Sequence, residues 1–157
     1  MGYSKCTVSS PTVEALWGYN VVGLLFGADW CEPCSEFIPV LDRLYSAQAA
    51  RGAHRLEIVL VSRCREAKAT KYYGLGMPWL AMYHDADNKV GMNTRMTALM
   101  AKFGVTTIPA LVLLDKCGQV ICAEGRGRCV ADPKGSAFPC AVSCQFCLTA
   151  CGARSTT

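Results

Sequence analysis

No stretch of this 157-residue chain approaches the roughly 18 consecutive apolar residues that a membrane-spanning helix needs. Residues 1–6 lack the apolar core of a secretory signal. Basic residues do not form runs interleaved with aromatic side chains, and the net charge is only +4, so we expect no nucleic-acid partner. We therefore expect a cytoplasmic protein, and we expect it to be a monomer.

What the chain does contain is enough apolar material for one full hydrophobic core. Hydrophobic residues make up 52% of the sequence, and its length suits a single domain. The chain also has 11 cysteines, and an odd number cannot pair completely within one molecule. In a reducing compartment most of them would be thiols or ligands rather than structural disulfides.

The sequence Trp-Cys-Glu-Pro-Cys places Cys31 and Cys34 three residues apart. An apolar run typical of a buried strand, residues 21–26, precedes them, and residues 35–50 carry apolar side chains at helical spacing. A cysteine at such a helix N-terminus meets free N–H groups and the positive end of the helix dipole, which favour the thiolate. We predict that Cys31 is a redox nucleophile, that Cys34 resolves its mixed disulfides, and that Pro33 holds the two sulfurs within reach.

A Cys-x-x-Cys pair is also the commonest half of a structural zinc site. A second pair at the spacing of a zinc ribbon is missing from the sequence, and the strand-to-helix context favours redox chemistry. We therefore expect neither a metal at this motif nor a bound cofactor.

The remaining periodicity predicts an α/β protein with a central sheet and helices on both faces. We predict one domain over residues 1–139 and a short cysteine-rich tail over residues 140–157. The predicted helices are residues 11–20, 35–50, 65–73 and 92–103, and the predicted strands are residues 21–26, 55–62, 110–115 and 120–124.

Ile108-Pro109 stands directly before a predicted buried strand, where a cis peptide bond is a common arrangement. In dithiol oxidoreductases of this architecture the bond lies beside the two cysteines, and the backbone of Ile108 can pair with an extended substrate. The alternative is an ordinary proline at the start of a strand. The upstream cysteine pair favours the first interpretation.

Several motifs together resemble the tryparedoxins, thioredoxin-fold dithiol proteins of trypanosomatids that are related to nucleoredoxins. The resemblance covers roughly residues 18–139 and is specific in order and spacing. Its motifs are Trp30-Cys31-x-Pro33-Cys34, Met77-Pro78-Trp79-Leu80-Ala81, Val105-x-x-Ile108-Pro109, Val130-x-Asp132-Pro133 and Phe138-Pro139.

This resemblance implies a thioredoxin-like fold and a thiol-disulfide oxidoreductase that passes electrons from trypanothione, or a similar small thiol, to peroxiredoxins and other protein disulfides in peroxide detoxification. It also implies that Arg126 lies beside the site, where it would bind a glutathionyl carboxylate in a bidentate, charge-assisted pair. The residues implied to form the site are Trp30, Cys31, Pro33, Cys34, Ile108, Pro109 and Arg126.

The chain departs from the family pattern at three places. Glu32 replaces a proline and adds a negative charge next to the nucleophile, residues 63–65 replace a tryptophan and two acids, and Leu25 replaces a tyrosine. The general base is therefore unassigned, with Asp29 and Glu32 the nearest acids in sequence. A second hypothesis is a catalytically weakened binding module whose tail binds metal or anchors the chain to a membrane.

Four cysteines of the tail recur at spacings that line one face of a helix. A straight helix would spread them over about 16 Å, too far for one ion, so a metal site would need unwinding or a second chain. Palmitoylation and simple packing of small apolar side chains are the other interpretations. The four are Cys140, Cys144, Cys147 and Cys151. We interpret Cys64, Cys117, Cys122 and Cys129 as packing thiols.

Overall fold

The computed structural model describes residues 15–84 and 94–138. Its strands are β1 (Val21–Gly27), β2 (Leu56–Ser62), β3 (Leu80–Ala81), β4 (Ala110–Asp115) and β5 (Val120–Cys122). Its helices are α1 (Glu32–Ala50), α2 (Ala67–Leu75), α3 (Thr94–Phe103) and α4 (Gly125–Ala131).

The strands form one mixed sheet in the order β3-β2-β1-β4-β5. β1 runs parallel to β2 and antiparallel to β4, with Gly27 opposite Ser62 and Phe26 opposite Ala110. The end of β1, the end of β2 and the start of β4 therefore lie at the same edge of the sheet. The loops that carry the cysteine motif, residues 63–66 and Pro109 meet at this edge.

Helices pack on both faces of the sheet, as the periodicity predicted. On one face Phe37, Leu41 and Leu44 of α1 join a buried cluster with strand residues and Trp79. On the other face Met96 of α3 belongs to a second cluster with alternate residues of the central strands. Burying each such large side chain contributes about 1.5–3 kcal/mol, so these two layers hold the sheet that positions the site.

Two helix starts differ from the sequence predictions, β5 ends two residues earlier than predicted, and two elements were not predicted. Helix α1 starts at residue 32 rather than 35, because Cys31 itself is the N-cap and the motif forms the first turn. Helix α2 starts two residues later than predicted, after an extended N-cap at Glu66. Strand β3 was not predicted because it is only two residues long, and α4 was not predicted because its seven residues include two glycines and no apolar stripe.

Several predictions fall on residues that the structure does not describe. Residues 11–14 of the helix predicted at 11–20, residues 92 and 93 of the helix predicted at 92–103, and the whole tail from residue 140 lie outside the described residues. In the described part of the first of these helices, residues 15 and 16 are helical and residues 17–20 are not, so that helix ends earlier than predicted. The domain boundary at residue 139 and the interpretations of the tail stay predictions. Within residues 15–84 and 94–138 no helix is both long enough and apolar enough to span a membrane.

Candidate active site

The cysteine motif forms the start of α1, directly after the turn that follows β1. Cys31 is the helix N-cap, and its Sγ accepts a hydrogen bond from the backbone N–H of Cys34 at 3.3 Å. Its carbonyl oxygen accepts from the N–H groups of Cys34 and Ser35 at 3.0 and 3.2 Å. Cys31 and Cys34 are joined as a disulfide, with their Cα atoms 5.2 Å apart. The predicted pairing of the two sulfurs is confirmed.

The first turn of the helix is arranged to stabilise a charged sulfur at Cys31. A proline lies in this turn, where no intrahelical partner exists for its missing N–H. The free N–H groups of the turn and the helix dipole favour a negative charge at the N-cap. Glu32, exposed in the same turn, adds a carboxylate that opposes this effect.

The disulfide is buried among apolar side chains, and an exposed tryptophan precedes it in the chain. Cys31 is 6% exposed and Cys34 is 1% exposed, whereas the neighbouring Trp30 is 56% exposed. An exposed indole beside a reactive sulfur offers an apolar contact for an incoming partner. That Cys31 attacks first, and that Trp30 contacts the substrate, stay predictions.

The loop before β4 lies beside the cysteines. The peptide bond between Ile108 and Pro109 is cis, as predicted. Ile108 packs against the buried cluster that contains Cys31 and Cys34, and Pro109 is buried. The backbone of Ile108 is thus at the site, and its pairing with an extended substrate stays a prediction.

Arg126 lies in the first turn of α4 and is exposed. The preceding residue, Gly125, is buried so tightly against β4 that a Cβ there would lie 2.6 Å from the carbonyl oxygen of Leu111. This contact places the start of α4 beside the β4 end near Pro109. The role of Arg126 in binding a carboxylate stays a prediction.

Sequence reasoning did not assign Cys64 to the site, but the structure places it there. Its side chain is 3% exposed and belongs to the same buried cluster as Ala28, Cys31 and Cys34. The backbone N–H of Asp29 donates to its Sγ at 3.4 Å. Burial raises the pKa of the Cys64 thiol. The signal in the sequence was its place just after a buried strand, at the edge where the motif also lies.

Tyr73 of α2 was also missed, and it packs against the buried cluster that contains Cys31 and Cys34. A Cβ built on Gly27 would lie 3.0 Å from Tyr73 Oη and 3.7 Å from Cys34 Sγ, so the glycine leaves room for both. The hydroxyl is buried without a hydrogen-bond partner. Burial, with smaller effects from Cys64 and Asp29, raises the pKa of Tyr73 to about 12.

A buried carboxylate exists in this chain, but far from the cysteines. Glu57 is 1% exposed and accepts hydrogen bonds from the Tyr45 hydroxyl at 3.1 Å and from the N–H of Ile58 at 3.0 Å. In the register of the sheet Glu57 lies opposite Val22, at the other end of the central strands from the motif. Glu57 is therefore a structural group, and no carboxylate is assigned as the general base of the site.

The other thiols follow the packing interpretation in part. Cys129 is buried on α4 and Cys122 is half-buried on β5, whereas Cys117 is exposed at the turn between β4 and β5. The packing interpretation was wrong for Cys117, because hairpin tips project into solvent. Across the described residues, no group of three or more His, Cys, Asp or Glu side chains could hold a metal ion.

Comparison with known proteins agrees with this geometry. A protein-family model described as thioredoxin-like matches residues 18–120. Tryparedoxin from Trypanosoma brucei brucei is 38% identical over 122 residues, which are 76% of this chain and 78% of that protein. Nucleoredoxin from Xenopus laevis is 36% identical over 120 residues, 76% of this chain. The chain spans only 27% of that nucleoredoxin and 30% of the one from Danio rerio.

Solved structures give the same relationship. Tryparedoxin II from C. fasciculata superposes with a TM-score of 0.72 at 31% identity, covering 88% of this chain and 86% of that one. A structure of tryparedoxin II complexed with glutathionylspermidine superposes with a TM-score of 0.71 at 30% identity, covering 88% of this chain and 89% of that one.

Proposed function

This chain belongs to the thioredoxin-like family, as a relative of the tryparedoxins and nucleoredoxins, and we propose that it is a protein-disulfide reductase working through Cys31 and Cys34. The observation that carries the proposal is the Cys31–Cys34 disulfide at the N-terminus of α1, where the Cys34 N–H points at Cys31 Sγ. A thiolate formed at this N-cap is stabilised by that hydrogen bond and by the helix dipole.

In the reaction we propose, the reduced Cys31 thiolate attacks one sulfur of a substrate disulfide and displaces the other sulfur as a thiolate. Cys34 then attacks Cys31 Sγ, which releases the second substrate thiol and forms the Cys31–Cys34 disulfide. The exposed Trp30 and the Ile108 backbone would hold the substrate during both steps. Two exchanges with an external dithiol restore the reduced pair.

We propose a trypanothione-like dithiol as the electron donor and peroxiredoxin-type protein disulfides as acceptors, in a cytoplasmic setting. A related tryparedoxin has been solved in complex with glutathionylspermidine, a trypanothione-like thiol. In this chain the exposed Arg126 would bind a glutathionyl carboxylate as a bidentate pair.

The test is single-turnover reduction of an insulin or peroxiredoxin disulfide by the pre-reduced protein, with trypanothione and glutathione compared as regenerating thiols. We expect turnover that is lost in Cys31→Ser and is faster with trypanothione. Cys117→Ser is the matched control, because it removes an exposed thiol at the β4–β5 turn, and it should retain turnover. A folded, fully reduced protein without turnover would refute the proposal.

A further inference from the structure

Three cysteines, not two, meet at the edge of the sheet that carries the site. Cys31, Cys34 and Cys64 form one buried cluster with Ala28, and each of the three is less than 7% exposed. The third thiol comes from the loop after β2, which is separate in sequence from the motif. A thiol buried against a disulfide has a reaction partner already in place.

Backbone contacts hold Cys64 against the turn that leads into the motif. The N–H of Arg63 donates to the carbonyl oxygen of Gly27 at 2.8 Å, and the N–H of Cys64 donates to Ser62 Oγ at 3.1 Å. The N–H of Asp29 donates to Cys64 Sγ at 3.4 Å. These bonds keep the sulfur on the interior side of the residues that precede Cys31.

A second observation comes from Tyr73, whose buried hydroxyl packs on the same cluster and has no hydrogen-bond partner. The hydroxyl and Cys34 Sγ would both lie within 4 Å of a Cβ on Gly27, and the charge of Cys64 acts on the hydroxyl. Burying an unpartnered hydrogen-bond donor costs free energy, and a state of the site that supplies an acceptor recovers that cost. The Cys64 thiolate that begins the exchange described below would lie within the electrostatic reach of this hydroxyl.

We propose that Cys64 is a third redox thiol of this site, which exchanges with the Cys31–Cys34 disulfide to form a Cys34–Cys64 disulfide and free Cys31. The inference rests on the proposed function only in that the Cys31–Cys34 pair must become oxidised.

The exchange balances within the chain. The Cys64 thiolate attacks Cys34 Sγ, the new Cys34–Cys64 bond forms as the Cys31–Cys34 bond breaks, and the electron pair leaves on Cys31 Sγ. The proton lost by Cys64 passes to solvent or to Cys31, so no external oxidant is consumed. Because burial keeps Cys64 mostly protonated, the exchange is slow beside turnover.

The exchange would change what the site can do. With Cys34 tied to Cys64, a mixed disulfide formed by Cys31 has no resolving thiol. The protein would then hold its partner covalently instead of releasing it. The third thiol thus converts a reductase site into a trapping site until the external dithiol reduces it.

The test uses Cys31→Ser, which leaves Cys34 and Cys64 as the thiols of the cluster. The full-length variant is reduced, oxidised with one equivalent of diamide, acid-quenched, alkylated and digested, and linked peptides are identified by mass spectrometry. We expect a Cys34–Cys64 linked peptide. It should be lost in Cys31→Ser/Cys64→Ser and retained in the matched control Cys31→Ser/Cys117→Ser.

The oxidised wild-type protein is measured in parallel, so the test stands even where the variant does not fold. A minor species with linked Cys34 and Cys64 and alkylated Cys31 supports the proposal. Cys64 recovered only as the alkylated thiol, in the wild type and in a folded variant, overturns it. If the linked peptide forms but the protein does not reduce disulfides, the proposed function alone is refuted. If the protein reduces disulfides but no linked peptide forms, this inference alone is refuted.

Discussion

Gly125 and Gly127 stand two residues apart in α4, yet their replacement by alanine should have opposite effects on stability. A Cβ on Gly125 would lie 2.6 Å from the carbonyl oxygen of Leu111 and 3.0 Å from its Cγ. That oxygen belongs to the backbone of the central sheet and cannot move without disturbing β4. The start of α4 would therefore have to shift, and overpacking of this kind costs about 1–3 kcal/mol.

We expect Gly125→Ala to lower the free energy of unfolding by about 1 kcal/mol, since the gain in helix propensity offsets only part of the clash. The drop in melting temperature should be on the order of 4 °C. In Gly127→Ala nothing lies within 4 Å of the new Cβ, so propensity alone acts and should stabilise the protein by about 0.5–1 kcal/mol. Urea unfolding of both variants measures the contrast. A Gly125→Ala protein as stable as the wild type would refute the packing of α4 on β4, and with it the placement of Arg126.

Three further predictions concern other parts of the site and its support. Tyr45→Phe should destabilise the protein by about 1.5–3 kcal/mol in urea unfolding, because the Tyr45 hydroxyl donates to the buried Glu57 carboxylate, and an unchanged midpoint would contradict this. The pKa of Tyr73 rises from 10.0 to about 12 on folding, so its contribution to stability is complete below pH 10 and is lost as pH rises through about 12. Between these pH values the free energy of unfolding should fall less steeply with pH in Tyr73→Phe than in the wild type. Glu32→Gln should raise the iodoacetamide alkylation rate of reduced Cys31 about two- to threefold at pH 7, because removal of about 0.5 kcal/mol of repulsion favours the thiolate, and a slower rate would contradict it.

The sequence predicts the part of the site that depends on residues close together in the chain. The apolar run before Cys31 and the helical spacing after Cys34 suffice to place the motif at a strand-to-helix turn. Ile108-Pro109 could be placed beside it only because dithiol oxidoreductases of this architecture carry a cis proline next to the two cysteines. The first inference needs only a short window of residues, whereas the second depends on the architecture as a whole.

What could not be predicted depends on contacts between distant segments. Cys64 lies 35 residues from Asp29, which donates to its sulfur, and nothing local separates it from an ordinary packing cysteine. The buried Glu57 stands alone in an apolar strand, and its partner Tyr45 is 12 residues away on another element. Helix α4 has no apolar stripe, because it is held by the close approach of Gly125 to β4 rather than by large side chains.

The proposed function requires that Cys31 and Cys34 transfer electrons to protein disulfides. It is tested most directly by mixing the pre-reduced protein with a peroxiredoxin or insulin disulfide and following one turnover, with Cys31→Ser and Cys117→Ser in parallel. We expect substrate reduction that appears together with the Cys31–Cys34 disulfide, is lost in Cys31→Ser and persists in Cys117→Ser. Substrate left oxidised by folded, reduced wild-type protein, or reduced equally well by Cys31→Ser, would contradict it.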